Sequence, residues 1–496
     1  MKTLYSSLFI FLITLTAIAQ QNKFYSGDFW KSNPSLEEVQ QLVKEGNDPV
    51  ALNGNGFDAT VYSIIRGANN DVINYFISFE GNMPNKKTHD GRNYLHWASY
   101  SNNLPIVKEL LKKGSSVTKK DSHGLTPLAF AANAGVTNIE LYKLFTDYDV
   151  DLLKEQSEHG ASLLLLAAPS LQNEKELNDF LDLGFNLDSV DHDGNNIFHY
   201  AVKKGNISFL KLLIREGVDH KAINKNGGNA MLMASRGARG HQNTLELYTF
   251  LESQGVQVNV VGDKGRNPLH SIASNNNNLE AFDYFMNRDV DINLVDEEGN
   301  TPFMNAAGNN SVEVVEYLFK NVHDKDLKNK KGQSALTMAV SRNSAAVVRY
   351  LLEQDASSSV IDQKGNNLAY YLVNSYNNRN AAQFDAKLEL LNNYGVSMKA
   401  TQQAGNTLYH TAVVKGNMKL LKQLGNYDID LNVKNNDGLT ALHLAAMTAK
   451  DESIIKYLIS KGADIKIKTD FEESVYDLAT ENELLNKNNI SFNYLK

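Results

Sequence analysis

Gly124-Leu-Thr-Pro-Leu-Ala-Phe-Ala-Ala132 and Gly438-Leu-Thr-Ala-Leu-His-Leu-Ala-Ala446 lie far apart in a chain of 496 residues, yet they are one phrase written twice. In both, a glycine is followed two residues later by threonine, the residue type whose hydroxyl caps a helix. Pro127 then stands at the first helical position, where its missing N–H is no loss. Paired alanines close the phrase, small enough to let that helix pack tightly on a neighbour. Partial copies surround Gly91, Gly160, Gly194, Gly227, Gly265, Gly299, Gly332, Gly365 and Gly405. From Gly91 to Gly438 the successive spacings are 33, 36, 34, 33, 38, 34, 33, 33, 40 and 33. A period that returns to 33 between insertions is the signature of stacked repeats.

Working outward, Asp or Asn precedes the glycine by three at Asp121, Asp191, Asn224, Asp296, Asn329, Asp362 and Asn435. A short side-chain acceptor there closes a turn. After the phrase, an apolar ridge at helical spacing predicts a second helix, as in Val347, Val348, Leu351 and Leu352. Gly114, Gly217, Gly255, Gly395 and Gly462 then stand where a helix stops in a left-handed cap. Thr126, Thr301, Thr407 and Thr440, with Asn93, Asn196 and Asn267 elsewhere, are the N-caps of the first helices.

The phrases Gly299-Asn-Thr-Pro-Phe-Met-Asn-Ala-Ala307 and Gly265-Arg-Asn-Pro-Leu-His270, with the two above, resemble the ankyrin signature T-P-L-H-x-A. The resemblance runs over roughly residues 24–486. It implies an all-α repeat solenoid of about a dozen stacked helix-turn-helix units with β-hairpin or turn tips. It also implies that His96, His199, His270, His410 and His443, which share one register, are hydrogen-bonding struts between neighbouring units. The copies at Gly160, Gly227 and Gly365 lack that histidine.

The ends read as caps. Ser35-Leu-Glu-Glu38 is a capping box within a divergent first repeat at 20–55, the array fills 56–470, and a final capping repeat at 471–486 carries Glu472 where the glycine belongs. Residues 487–496 are expected to form a flexible tail. The extra residues at Gly237–Asn243 and Asn374–Asn380 fall between the two helices of their repeats, as tolerated loop growth or as a second contact edge.

Residues 1–19 read as a secretory signal peptide. Lys2 precedes an apolar run from Leu8 to Ile18, and Ala17-Ile18-Ala19 offers a cleavage site after Ala19. The run is shorter than the ~20 residues a membrane span needs, and no later stretch is apolar enough to be one. The chain is therefore expected to be an exported protein of bacterial type, periplasmic or secreted, without an integral membrane segment once processed.

With 42% hydrophobic residues, 21% charged and only 8 prolines, the composition is that of a folded soluble protein. A net charge of -8 disfavours nucleic acid as a partner. The absence of cysteine excludes disulfides, thiolate metal sites and cysteine nucleophiles. No H-E-x-x-H, phosphate loop, nucleophile elbow or dinucleotide fingerprint is present. His192 between Asp191 and Asp193, and His220 beside Asp219, read as solvated turns. No catalytic, metal or cofactor site is expected, and the protein is read as not an enzyme.

What remains is a binding surface. A monomeric scaffold or adaptor for protein partners would use the concave face and tips of its stack. Candidate contacts are His123, Lys225, Asn226, Asp263, Lys264, Arg266, Glu297, Glu298, Lys330, Lys331 and Lys364 at the tips, with Trp97 and Tyr100 on a first helix as either a contact cluster or internal packing. The alternative is a secreted effector or toxin-associated targeting protein acting on a host or competitor protein.

Overall fold

The threonines and asparagines placed at the N-caps catch free backbone amides, and a helix starts behind each of them. Thr126 accepts from the Ala129 amide at 3.3 Å, Thr301 from Met304 at 3.2 Å and Asn267 from His270 at 3.2 Å. A computed structural model describes residues 22–487 and 492–496; the expected signal peptide lies outside the described residues.

The chain divides into two units, Met1–Ala201 with Ser208–Asp219, and Val202–Ile207 with His220–Lys496. In the first, helix pairs recur, such as Tyr94–Tyr100 with Leu104–Lys112 and Pro127–Ala134 with Ile139–Thr146. In the second they recur as Pro302–Asn309 with Val312–Phe319 and Ala335–Arg342 with Ala345–Glu353. Within each unit, first helices pack on first helices of the next repeat and second helices on second helices, so each unit is a double layer. The core is the seam between the layers. Val347, Val348, Leu351 and Leu352 are buried there as the periodicity requires, each contributing roughly 1.5–3 kcal/mol.

The described residues contain no β-strand. Three isolated bridges, Gln156 with Ser162, Ala238 with His241 and Gly262 with Arg266, are all that approaches one. The tips are therefore turns and not β-hairpins, because the acidic side chain takes the amides a ladder would need. Asp121 Oδ1 accepts from the amides of His123 at 2.9 Å and Leu125 at 3.0 Å. Consecutive tips are joined by backbone hydrogen bonds: Glu297 N–H to Lys264 C=O at 2.8 Å, Lys330 to Glu298 at 2.9 Å and Gln363 to Lys331 at 3.0 Å.

A second tie recurs on the opposite side of the repeats. The Asn343 amide donates to the carbonyls of Ala307 at 2.9 Å and Asn310 at 2.7 Å, closing the end of the preceding first helix. Asn310 and Asn482 do the same for their own predecessors. In the repeat after Asn343 the matching position holds Tyr376. There the buried Lys387 does the work, its Nζ donating to Val340 C=O at 2.7 Å and Asn343 C=O at 3.0 Å. It reaches them from Ala381–Asn393, a second helix of 13 residues, so the insertion read as a loop near 374–380 is answered by a lengthened helix.

At the N-terminal end the Ser35–Glu38 capping box forms, and Phe24 and Trp30 are buried beside it. At the other end Glu472 takes the glycine's left-handed conformation at φ 64°. The described part of the expected tail is packed: Asn493–Leu495 is a 3-10 turn, and Phe492 and Leu495 are buried.

Candidate functional site

In the second unit, the backbone ties between tips set Lys264, Glu297, Glu298, Lys330, Lys331 and Lys364 on successive turns, so these sequence candidates share one edge. Lys331 Nζ lies 3.8 Å from Glu298, both well exposed, an ion pair of little energetic weight. Arg266 is anchored differently, its Nε 3.2 Å from the buried Asp296 carboxylate. Asp263 faces Arg236 at 3.9 Å. Lys225 and Asn226 are exposed on the tip that Asn224 closes, its Oδ1 accepting from the amides of Asn226 at 3.0 Å and Gly228 at 2.8 Å.

The candidates of the first unit behave unlike one another. His123 is exposed, its Nε2 3.4 Å from Asp90. Trp97 is only 6% exposed, its indole N–H donating to Thr88 Oγ1 at 2.8 Å and its ring edge-on to Phe130 at 5.7 Å. Packing holds it inside the stack. Tyr100 stays 44% exposed, stacked on Phe130 at 5.5 Å.

The shared-register histidines are inside. His443 Nδ1 receives the Thr440 amide at 3.0 Å, which leaves the proton on Nε2 to bond Ile467 C=O at 2.9 Å. His96, His270 and His410 likewise reach Leu125, Asn300 and Leu439 carbonyls in the next repeat. Burial pushes all four imidazoles down, His96 to about 4, so they are neutral struts near pH 7. Among the described residues, no group of three or more His, Asp or Glu side chains is placed to hold a metal ion. No helix among them is long and apolar enough to cross a membrane.

Two features escaped the sequence reading. In the second unit, Arg236, Arg266 and Arg342 line a concavity of about 390 Å³ together with Ser271, Asn305 and other polar side chains. Also there, Ile223, Val261, Val295 and Ile361 are exposed four residues before their turn glycines. Lys328 and Lys434 hold the same register in other repeats, so comparing repeats position by position would have found that row. The arginines carry a fainter signal, since only two repeats end their first helix in arginine.

The sequence profile for Ankyrin repeats (3 copies) matches residues 31–121, 164–249, 238–328 and 379–469. The chain is similar to the Fowlpox virus (strain NVSL) ankyrin repeat protein FPV223, 34% identical over 125 residues that make up 25% of this chain and 84% of that one. It is 25% identical over 204 residues to palmitoyltransferase ZDHHC13 of Danio rerio, covering 41% of this chain and 31% of that protein. To the human neurogenic locus notch homolog protein 1 it is 26% identical over 166 residues, 33% of this chain and 6% of that one. The chain thus spans most of the viral relative but under a third of the other two. Among solved structures, the human ASB11 ankyrin repeat domain aligns with TM-score 0.38 and 22% identity, covering 44% of this chain and 95% of that one.

Proposed function

The chain belongs to the ankyrin repeat family, and from that premise we propose that it is a protein-binding scaffold that engages partners through its tips and the exposed positions of its first helices. Ankyrin repeats generally mediate protein–protein interaction, and the fold is typically a binding scaffold and not a catalyst. The observation that carries the reading is the division of labour among side chains in the second unit. The histidines, alanines and bridging asparagines are consumed by the stack, while hydrogen-bonded tips hold Lys264, Glu297, Glu298, Lys330 and Lys331 outward in fixed order. Mixed charges on a rigid edge suit recognition of a protein by electrostatic complementarity.

The N-terminal segment adds a location to this proposal. The apolar run Leu8 to Ile18 with Ala17-Ile18-Ala19 supports export, with a mature chain starting at Gln20 in the periplasm or the medium. Fractionation with N-terminal sequencing tests that part: an intact Met1 on cytoplasmic material would overturn it. For the binding role, tagged protein is used to capture partners from periplasmic and secreted fractions, beside a charge-reversed variant of the tips from Lys225 to Lys331. A specific partner retained by the wild type and lost by the variant is the expected result. Equal capture by both would remove the tips from the interface.

A further inference from the structure

We propose that the concavity walled by Arg236, Arg266 and Arg342 is a carboxylate cradle that seats an acidic segment of the protein partner. This deepens the scaffold reading and rests on it. The cradle is built by four consecutive first helices of the second unit. Arg236 ends Ala230–Arg236, Ser271 lies on Pro268–Ile272, Asn305 on Pro302–Asn309, and Arg342 ends Ala335–Arg342. Three arginines line one space, and no aspartate or glutamate is among the residues that line it.

Their own partners do not use them up. Asp263 reaches Arg236 only at 3.9 Å, and burial pushes the Arg236 pKa down against that distant help. Arg266 meets Asp296 through Nε, and among the described residues its Nη groups have no hydrogen-bond partner. Arg342 is exposed and, among the described residues, makes neither an ion pair nor a side-chain hydrogen bond. Asn305 is tied to the His270 carbonyl at 3.1 Å and Asn309 to the Asn305 carbonyl at 3.0 Å, so the polar floor is fixed before any ligand arrives.

A guanidinium presents a planar fork of donors matched to a carboxylate, and such charge-assisted bonds are the strong ones. The chain as a whole carries a net charge of -8, so this cluster is no part of a general basic excess. A volume of about 390 Å³ is at the small end for ligand sites. It admits acidic side chains, and Glu297 and Glu298 interrupt the lysines on the neighbouring tips, so the edge beside it is mixed in charge and does not form a continuous basic track for a polyanion.

The full chain is titrated with fluorescent hexaglutamate and hexaglutamine peptides, and with inorganic phosphate, at low salt and at physiological salt. Hexaglutamate is expected to bind and hexaglutamine not. Arg342→Gln should weaken hexaglutamate by about tenfold, the loss of one charge-assisted bond. Arg236→Gln combined with Arg342→Gln should abolish binding, with circular dichroism unchanged. Lys419→Gln, on an outer helix, should leave it intact. Undiminished hexaglutamate binding by the double variant overturns the cradle, as does phosphate binding without peptide binding. A natural partner captured equally by the wild type and the double variant removes the cradle and leaves the scaffold reading standing. Arginine-dependent peptide binding with no partner captured at all keeps the cradle and removes the scaffold reading.

Discussion

Acidification should loosen the first unit through His96, and the size of the effect follows from its burial. The imidazole is fully buried, with Nε2 on the Leu125 carbonyl at 3.1 Å and Nδ1 receiving the Asn93 amide at 3.2 Å. A proton on Nδ1 would expel that amide and, although Asn93 Oδ1 at 2.6 Å could accept from it, would place a charge in the dry space between helices. The unfolded chain takes up this proton below pH 6.5, whereas the folded chain holds it off until about 4. Between those values the unfolded state binds more protons, so stability present above pH 6.5 is lost as the pH falls toward 4. At ~1.4 kcal/mol per decade the full loss is on the order of 3 kcal/mol, about 2 kcal/mol of it gone by pH 5. A histidine NMR titration reads the group directly, and urea unfolding of wild type and His96→Gln at pH 7 and pH 5 reads the energy. The wild type should lose about 2 kcal/mol more than the variant over that range. An imidazole titrating near 6.5 in the folded protein, or equal acid sensitivity in both proteins, would refute the reasoning.

Other substitutions test separate joints. Lys387→Met leaves the Val340 and Asn343 carbonyls without a donor and should cost about 1–3 kcal/mol in denaturant unfolding; a neutral result would show that the tie contributes nothing. Asn310→Ala removes the donor to Ala273 and Asn276 and should destabilise by a similar ~1–3 kcal/mol, read as a lowered urea midpoint. Glu472→Gly relieves a left-handed backbone and should stabilise by roughly 1 kcal/mol, seen as a raised thermal midpoint. Gly332→Ala sets a Cβ 2.8 Å from the Gln363 amide nitrogen at φ 77° and should open the tie between tips, giving faster exchange of the Gln363 amide proton.

Local rules carried far into this molecule. The cap at Thr440, the strut at His443 and the left-handed turn at Glu472 each depend on a few neighbouring residues, and each stands where the period put it. At the tips, where a hairpin or a turn was expected, the turn forms, because side chains such as Asp121 compete locally with strand pairing. What was invisible needed three dimensions. Trp97 could be read as a contact or as internal packing, and only the position of Phe130, from the next repeat, shows it packed within the stack. Lys387 carries no local sequence signal for its role, because its Nζ reaches the Val340 carbonyl only through the packing of its helix on the preceding repeat. Arg236 and Arg342 stand 106 positions apart and become one wall only because the intervening first helices stack.

The scaffold account predicts that one face makes the contacts, and site-specific photo-cross-linking asks this directly. A benzophenone amino acid is placed either at Glu297, on a tip, or at Glu316, on the outer helix of the same repeat, and the proteins attached in cells are identified by mass spectrometry. The account predicts a discrete adduct from position 297 and none from position 316. Adducts from 316 alone, or the same adducts from both, would contradict it.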